Sequence, residues 1–215
     1  MKSTTILFFA VVLFISACNN IPGNKQSMDV MENMDEGNVD GSVTIKKYLI
    51  KSGVITYETR MKTLSVDLKY KSMVYFDNFG MKECKDTYDG NELGESYLSD
   101  GKYLYQVSHK TKEVYKTGAA THGTEPKFNW DKVSQKDKDS GIAIKLPHEI
   151  IAGKDCEVYL IKTDIATAKY AGWKNISMLL EVKSAGGTSV LKAIEVEIGP
   201  VPAEKFKLPA GYKLR

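Results

Sequence analysis

Most of the chain alternates between apolar and polar residues, the pattern of half-buried β-strands. The alternation begins at Ile45, where Val, Ile, Tyr, Thr and Phe start to be separated by Lys, Glu, Asp and Ser. It predicts strands at residues 50–61, 64–76, 81–88, 103–107, 113–115, 155–162, 168–173, 177–182 and 189–198. About nine or ten strands with short, turn-rich connections predict a mainly β fold: a curled antiparallel sheet, or unclosed β-barrel, with one or two short helices.

Residues 127–140 interrupt this alternation. Asn129 is placed to cap a short helix, and Gly141 is placed to end it. The same stretch is rich in Lys and Asp, which also suits an exposed loop. A second short turn is predicted near Pro202, because proline favours the first turn of a helix.

The N-terminus has the pattern of an export signal. One cation, Lys2, precedes an uncharged apolar run at residues 6–15, and Ser16 and Ala17 then precede Cys18. A basic start, a short apolar core and small residues at the cleavage site define a secretory signal peptide. The apolar run is too short to span a bilayer, which needs about 20 apolar residues.

Residues 15–18 (ISAC) resemble the bacterial lipobox, in which a lipid is added to the cysteine and the signal is cut before it. The resemblance implies a signal peptide at residues 1–17 and a lipid on Cys18. Each buried CH2 contributes roughly 0.8 kcal/mol, and several acyl chains hold a protein stably on a membrane. Asn19, rather than Asp, follows the cysteine and favours the outer membrane, with the periplasmic face expected.

The sequence divides into three parts. Residues 1–17 are the predicted signal, residues 18–42 are predicted to be a lipidated flexible tether, and residues 43–215 are predicted to form the β domain. The tether assignment follows from low hydrophobicity and from its Gly, Asn and Pro content. About 200 residues remain after cleavage, enough to bury a sizeable core.

Charge and cysteine content narrow the range of functions. The 30 basic and 27 acidic residues give a formal charge of +3, which argues against a nucleic-acid partner. With Cys18 assigned to lipid, Cys84 and Cys156 remain. In an oxidising compartment they either pair as a disulfide or are two small buried residues.

A search for catalytic and metal-binding motifs finds none. His109, His122 and His148 are isolated, with no partner at metal-ligand spacing, and are expected on loops or the surface. Neither a nucleophile elbow nor a phosphate-binding loop is present. The sequence therefore predicts no metal, no cofactor and no enzymatic activity.

Aromatic residues are the remaining candidates for contact with a ligand. Strand tyrosines and the two tryptophans could together line a concave surface for an apolar molecule. Aromatic residues also favour strands and cores for reasons unrelated to binding. The candidates are Tyr57, Tyr70, Tyr75, Tyr103, Tyr105, Trp130 and Trp173.

Four short sequence segments resemble segments of small exported proteins related to the LolA/LolB fold. They are residues 76–83 (FDNFGMKE), 151–159 (IAGKDCEVY), 172–176 (GWKNI) and 201–211 (VPAEKFKLPAG). The resemblance implies an unclosed antiparallel barrel, with short helices in its mouth and a concave face that binds lipid or acyl chains. Asn175 differs from the family pattern, because a glycine usually follows the Trp-Lys pair of this segment.

Two hypotheses follow. In the first, an outer-membrane lipoprotein holds a lipid, acyl chain or other apolar ligand on the concave face of its sheet. In the second, the same fold has a filled interior and docks a protein partner in the envelope. The two are distinguished by whether the interior offers an accessible apolar surface.

Overall fold

One long sheet dominates the computed structural model, which describes residues 46–119 and 133–215. Hairpins connect most of its strands. The strands are β1 (Gly53–Lys62), β2 (Asp67–Asp77), β3 (Lys82–Asp89), β4 (Glu92–Ser99), β5 (Tyr103–Ser108), β6 (Glu113–Ala119), β7 (Ala143–Ile151), β8 (Lys154–Lys162), β9 (Ala166–Trp173), β10 (Ile176–Ser184), β11 (Gly187–Ile198) and β12 (Lys213–Leu214).

The strand order is β12-β6-β5-β4-β3-β2-β1-β11-β10-β9-β8-β7. The pairings are antiparallel except that of β12 with β6. Strands β12 and β7 stand at opposite ends of the order, so the sheet is unclosed. The predicted mainly β, curled and unclosed architecture is confirmed.

The sequence pattern missed three strands: β4, β7 and β12. Strand β7 contains Pro147, which cannot donate a hydrogen bond to a ladder and is normally confined to edges and bulges. Both conditions hold here, because β7 is an edge strand and its register with β8 shifts between Leu146 and Glu149. Strand β12 has only two residues, too few for any alternation.

The predicted helix is present but shorter than expected. Helix α1 (Gln135–Asp139) begins after Ser134, whose hydroxyl accepts a hydrogen bond from the Asp137 N–H at 3.1 Å. The predicted cap, Asn129, lies outside the described residues. Two 3₁₀ segments, Asn78–Gly80 and Ala203–Phe206, complete the helical content of the described residues.

The larger hydrophobic cluster shows how the sheet curls. Ile55, Tyr57 and Phe76 on β1 and β2 belong to one cluster with Met178 on β10 and Val158 on β8. The Tyr57 side chain passes over β11, and its hydroxyl donates to the Ser177 carbonyl at 2.9 Å. Burial of each such side chain contributes about 1.5–3 kcal/mol, so this cluster is the main source of stability.

A second, smaller cluster lies on the opposite face of β2–β4. Tyr75 and Cys84 pack with Leu98, and successive residues of a strand point to opposite faces, so Tyr75 faces away from Phe76. The C-terminal segment covers this cluster with Val201 and Phe206. The segment then runs to β12, which pairs with β6.

Residues 46–52, here called the strap, cross one end of the sheet. The Tyr48 N–H donates to the Phe79 carbonyl at 2.9 Å, and the Leu49 N–H donates to the Lys174 carbonyl at 3.1 Å. The strap thus joins the β2–β3 turn to the β9–β10 turn. Gly80 permits the close approach: it has φ +83°, and a Cβ there would lie 2.7 Å from Cδ2 of Tyr48.

A buried ion pair fixes the strap to the sheet. The Lys47 ammonium lies 2.5 Å from Glu83, and their side chains are 3% and 6% exposed. The Tyr48 hydroxyl donates to the other oxygen of the same carboxylate at 2.6 Å. Both oxygens of Glu83 are therefore satisfied without water.

Candidate functional site

An apolar surface runs across seven neighbouring strands. Directly paired residues on adjacent strands share a face of the sheet, so the register identifies its members. We call this surface the apolar face. One row comprises Tyr159, Tyr170, Leu180, Leu191, Thr59 and Tyr70. The next row comprises Ala143, Ile161, Ala168, Val182, Ser189, Met61 and Leu68.

The apolar face is only partly covered. Tyr159 and Tyr170 are buried, at 5% and 8% exposed. Leu180, Val182 and Leu191, between them and β1, are partly exposed. Lys145 of β7 pairs with Tyr159 and borders the first row at its end. The rest of the surface, partly open to solvent, can receive an apolar molecule.

The reverse face is charged along the strands from β10 to β2. Glu58 and Lys69 form an exposed ion pair at 2.8 Å across β1 and β2, and Glu181 and Lys183 form another at 2.8 Å on β10. Lys192, next to Leu191 in sequence, is exposed on this reverse face. On β11–β2 the sheet therefore has an apolar surface on one side and a charged surface on the other. On β8–β10 the reverse side is apolar as well where Val158, Ala171 and Leu179 are buried in the larger cluster.

The predicted aromatic lining is only partly assembled. Tyr57 and Tyr70 lie on the apolar face. Tyr75, Tyr103 and Tyr105 lie on the opposite face, so the structure does not bring them together with Tyr57 and Tyr70. Two candidates fall elsewhere: Trp173 lies at the end of β9 against the larger cluster, and Trp130 is outside the described residues.

Tyr159 and Tyr170 are the members of the apolar face that sequence reasoning missed. They pair directly across β8 and β9. The run Val158-Tyr159-Leu160-Ile161 is apolar throughout, so alternation does not tell which residues point to which face. Only the register with β9 resolves it.

A polar cluster lies beneath the C-terminal segment. The Ser96 hydroxyl donates to Asp86 at 2.6 Å and lies 2.7 Å from Nε2 of His109. Nδ1 of His109 lies 3.0 Å from the Tyr212 hydroxyl. Lys205 donates to the second Asp86 oxygen at 3.0 Å. Two tail residues, Lys205 and Tyr212, thus hold the C-terminal segment to the sheet.

The order of groups in this cluster does not match a nucleophile-activating relay. In such a relay the histidine stands between serine and carboxylate, and the carboxylate orients it. Here Ser96 stands between Asp86 and His109, and its single proton is directed to Asp86. Burial lowers the pKa of His109 and outweighs the opposing field of Asp86. The neutral ring, with Nε2 protonated, fits both contacts.

The two cysteines are free thiols. Cys84 lies on β3 in the smaller cluster, and Cys156 lies on β8 in the larger one. The structure therefore does not form the disulfide considered from the sequence and favours its alternative, two small buried residues. Burial raises the pKa of the Cys84 thiol, and the nearby Asp86 carboxylate raises it further.

No group of three metal-ligating side chains occurs within residues 46–119 and 133–215. His148 is half-exposed and contacts Asp155 at 3.0 Å. His109 follows β5 in a turn, as expected, but is partly buried in the polar cluster. His122 lies outside the described residues. Within the same residues, no helix has the length and apolar character to cross a membrane.

Comparison with known proteins gives structural neighbours alone. No protein-family model matches the chain, and no curated protein matches it in sequence. An uncharacterized conserved protein from Thermus thermophilus is similar, with a TM-score of 0.54 and 9% identity over 80% of this chain and 93% of that one. At that identity the similarity is one of fold.

Two further neighbours carry family names. A LolA superfamily protein from Nitrosomonas europaea has a TM-score of 0.42 and 14% identity over 75% of this chain and 92% of that one. An outer membrane lipoprotein-sorting protein domain from Vibrio parahaemolyticus has a TM-score of 0.40 and 9% identity over 73% and 89%. Proteins of the kind that the sequence resembles are thus among the structural neighbours.

Proposed function

We propose that this chain is an exported lipoprotein, anchored through Cys18, whose apolar face binds a lipid, an acyl chain or another apolar ligand. The observation that carries the binding role is the apolar face itself. One row runs from β8 to β2 and the other from β7 to β2, and they include partly exposed Leu180, Val182 and Leu191.

The physical driving force is burial of apolar surface. Each Å² removed from water contributes about 25 cal/mol, so an acyl chain lying along these rows gains several kcal/mol. The reverse face offers exposed ion pairs on β10, β1 and β2, and its apolar residues Val158, Ala171 and Leu179 on β8–β10 are buried in the larger cluster. Binding is therefore expected on one side of the sheet.

The anchor and the location are proposed from the sequence. The lipobox at residues 15–18 supports a lipid on Cys18, and Asn19 supports the outer membrane with the domain on its periplasmic side. The division into signal, tether and domain at residues 17 and 42 belongs to the same proposal. A non-enzymatic role is proposed with it.

A second candidate function is a docking lipoprotein with a filled interior. The observation that favours it is the complete burial of Ile55, Phe76, Ile176 and Met178, which fill the curl of the sheet with side chains. In that case the apolar face would be a covered part of the core, and an envelope protein would bind the outer surface.

The test is what co-purifies with the mature chain. The Cys18→Ser chain, exported without a lipid anchor, is purified without detergent and examined by native mass spectrometry and organic extraction. A stoichiometric lipid or apolar molecule supports the first candidate. A clean protein mass, with no uptake of offered phospholipid or fatty acid, refutes it and leaves the second.

A matched pair of variants locates the binding. Leu180→Glu places a carboxylate on the apolar face, and an unpaired buried charge is unfavourable by about 3 kcal/mol or more. That corresponds to a loss of affinity of more than about a hundredfold. Lys192→Glu changes the reverse face and should leave affinity unchanged. Equal loss in both variants would contradict binding on the apolar face.

A further inference from the structure

The end of the sheet crossed by the strap carries a concentration of exposed lysines. It is formed by the strap and the turns β2–β3, β4–β5, β7–β8 and β9–β10, together with the end of β11, and we call it the tether end. Beyond the buried Lys47–Glu83 pair, its lysines outnumber its acidic residues by six to four. They are Lys46, Lys51, Lys82, Lys102, Lys154 and Lys174, of which Lys154 is partly exposed and the others are exposed, against Asp77, Asp100, Asp155 and Glu197.

The opposite end of the sheet has a smaller excess of basic residues. Its hairpin turns carry four lysines and five acidic residues within the described chain. They are Lys62, Lys110, Lys112 and Lys162, against Asp67, Asp89, Glu92, Glu113 and Asp164. Strand β12 and the residue after it add Lys213 and Arg215 at that end, which gives six basic against five acidic residues. The tether end, with six against four, carries the larger excess.

Apolar and aromatic side chains lie among the lysines of the tether end. Leu49 is 60% exposed and Ile198 is 55% exposed. Lys46 lies 4.3 Å from the centre of the Phe79 ring. Trp173 is partly exposed and lies between two lysines, with Lys154 at 5.1 Å and Lys174 at 5.2 Å from its ring centre. Lysine beside tryptophan and exposed aliphatic residues is the combination that suits a membrane interface.

The tether end also has a depression beside these residues. It has a volume of about 380 Å³ and is lined by Ile50, Lys51, Asp77, Ile198 and Val201, among others. Its lining combines aliphatic Ile50, Ile198 and Val201 with the charged residues Lys51 and Asp77. This surface can take up part of an acyl chain or glycerol while a cation faces a phosphate.

The point at which the chain enters the domain favours a membrane as the partner of the tether end. The described chain enters the domain at Lys46, at the tether end, 28 residues after Cys18 (46 minus 18). A segment of that length spans at most about 100 Å even when fully extended. On the proposed function, which places a lipid on Cys18, the chain that leads from the anchor joins the domain at the tether end, so this end lies within reach of the bilayer.

We propose that the tether end is a docking surface for an anionic phospholipid bilayer, the one that holds the lipid anchor. Its lysines attract the phosphates of the surface, and Leu49 and Trp173 enter the headgroup region. The domain then rests on the membrane on this end, and its sheet stands away from the surface.

The test uses the Cys18→Ser mature chain, so that no lipid anchor contributes. Binding is measured by co-sedimentation with vesicles that contain phosphatidylglycerol and with vesicles of phosphatidylcholine alone. We expect binding to the former, weakened by added salt, and little binding to the latter. Equal partitioning into both kinds of vesicle, or into neither, overturns the proposal.

Two quadruple variants of equal charge separate position from net charge. Lys46, Lys51, Lys102 and Lys174, all exposed, are changed to Gln in the first. Lys62, Lys110, Lys112 and Lys162, also exposed, are changed to Gln in the second. Each set contains one lysine at positive φ, Lys174 or Lys112, so backbone effects are matched.

The first variant should lose about five-fold in partition coefficient per lysine, which is about 1 kcal/mol each, and several hundredfold in all. The second should lose less than about ten-fold, since its lysines lie far from the surface. Equal losses would show attraction by net charge alone and overturn the assignment to the tether end.

Trp173 provides an independent readout. The chain has two tryptophans, so the Trp130→Phe variant reports on Trp173 alone. On phosphatidylglycerol vesicles its emission should shift to the blue and be quenched by brominated lipid. Unchanged emission from bound protein would contradict insertion at this end. None of these measurements involves the apolar face, so their failure would leave the ligand-binding proposal standing, and the reverse also holds.

Discussion

Glu83 holds the strap in place, and its replacement by Gln should strongly destabilise the fold. The change leaves the ammonium of Lys47, which is 2% exposed, buried without its counter-charge. Removing one partner of a buried ion pair is unfavourable by about 3–5 kcal/mol. In a domain of this size each kcal/mol lowers Tm by about 2–4 °C, so a fall of roughly 6–20 °C is expected.

A double replacement distinguishes the ion pair from simple packing. In Lys47→Met/Glu83→Leu both charges are gone, and such replacements are often neutral or stabilising by about 1–4 kcal/mol. Opposing this, the Tyr48 hydroxyl loses its acceptor, at about 1–3 kcal/mol. The double variant should therefore be more stable than Glu83→Gln and close to the native chain.

The assay is urea unfolding followed by circular dichroism, with hydrogen exchange at the Tyr48 and Leu49 amides as the local probe. The exposed pair of Glu58 and Lys69, with side chains 42% and 63% exposed, gives the control, since Glu58→Gln should change stability by less than about 1 kcal/mol. If Glu83→Gln were as mild as Glu58→Gln, or if the double variant were less stable than the single one, the reasoning would be refuted.

Two further predictions concern a turn and the tail. Gly187 has φ +144°, and a Cβ there would lie 2.2 Å from the Lys62 carbonyl oxygen. The Gly187→Ala variant should therefore have a free energy of unfolding about 1–3 kcal/mol lower, measured by thermal melting. An unchanged Tm would contradict this packing. Hydrogen bonds from Tyr115 and Arg215 lower the pKa of Glu113 from 4.5 to about 2. Because its pKa is lower in the folded state, Glu113 stabilises the tail above about pH 4.5, and this contribution is lost as the pH falls towards about 2. NMR titration of the Glu113 carboxyl should give a midpoint near 2, and the Arg215 amide should lose its protection from hydrogen exchange over the same pH range. A midpoint near 4.5 would show that Glu113 does not form these contacts with the tail.

The fold class could be predicted because alternation is a local property of the chain. Most strands follow from the period of two, and the hairpin at Gly187 follows from its two glycines. The missed strand β7 carries Pro147, whose tolerance depends on β7 being an edge strand. Whether a strand lies at the edge depends on the strand order of the whole sheet, and the sequence of one segment does not show it.

The candidate site could be predicted only in part, because register decides which residues share a face. Tyr57 and Tyr70 share the apolar face, whereas Tyr105 lies on the other side. Register shifts occur on several strands, for example between Thr56 and Tyr57 in the pairing of β1 with β11. After such a shift, a residue lies opposite a different residue of the partner strand, so the set of residues that share a face changes. The alternation of the sequence does not show where a shift occurs.

The most direct test of the ligand-binding proposal compares two neighbouring positions on β11. A photoreactive benzoylphenylalanine is placed at Leu191, on the apolar face, or at Lys192, on the reverse face, of the mature Cys18→Ser chain. The proposal predicts that irradiation in the presence of phospholipid or fatty acid attaches an acyl chain at position 191 and not at 192. Attachment at both positions equally, or at neither, would contradict binding on the apolar face.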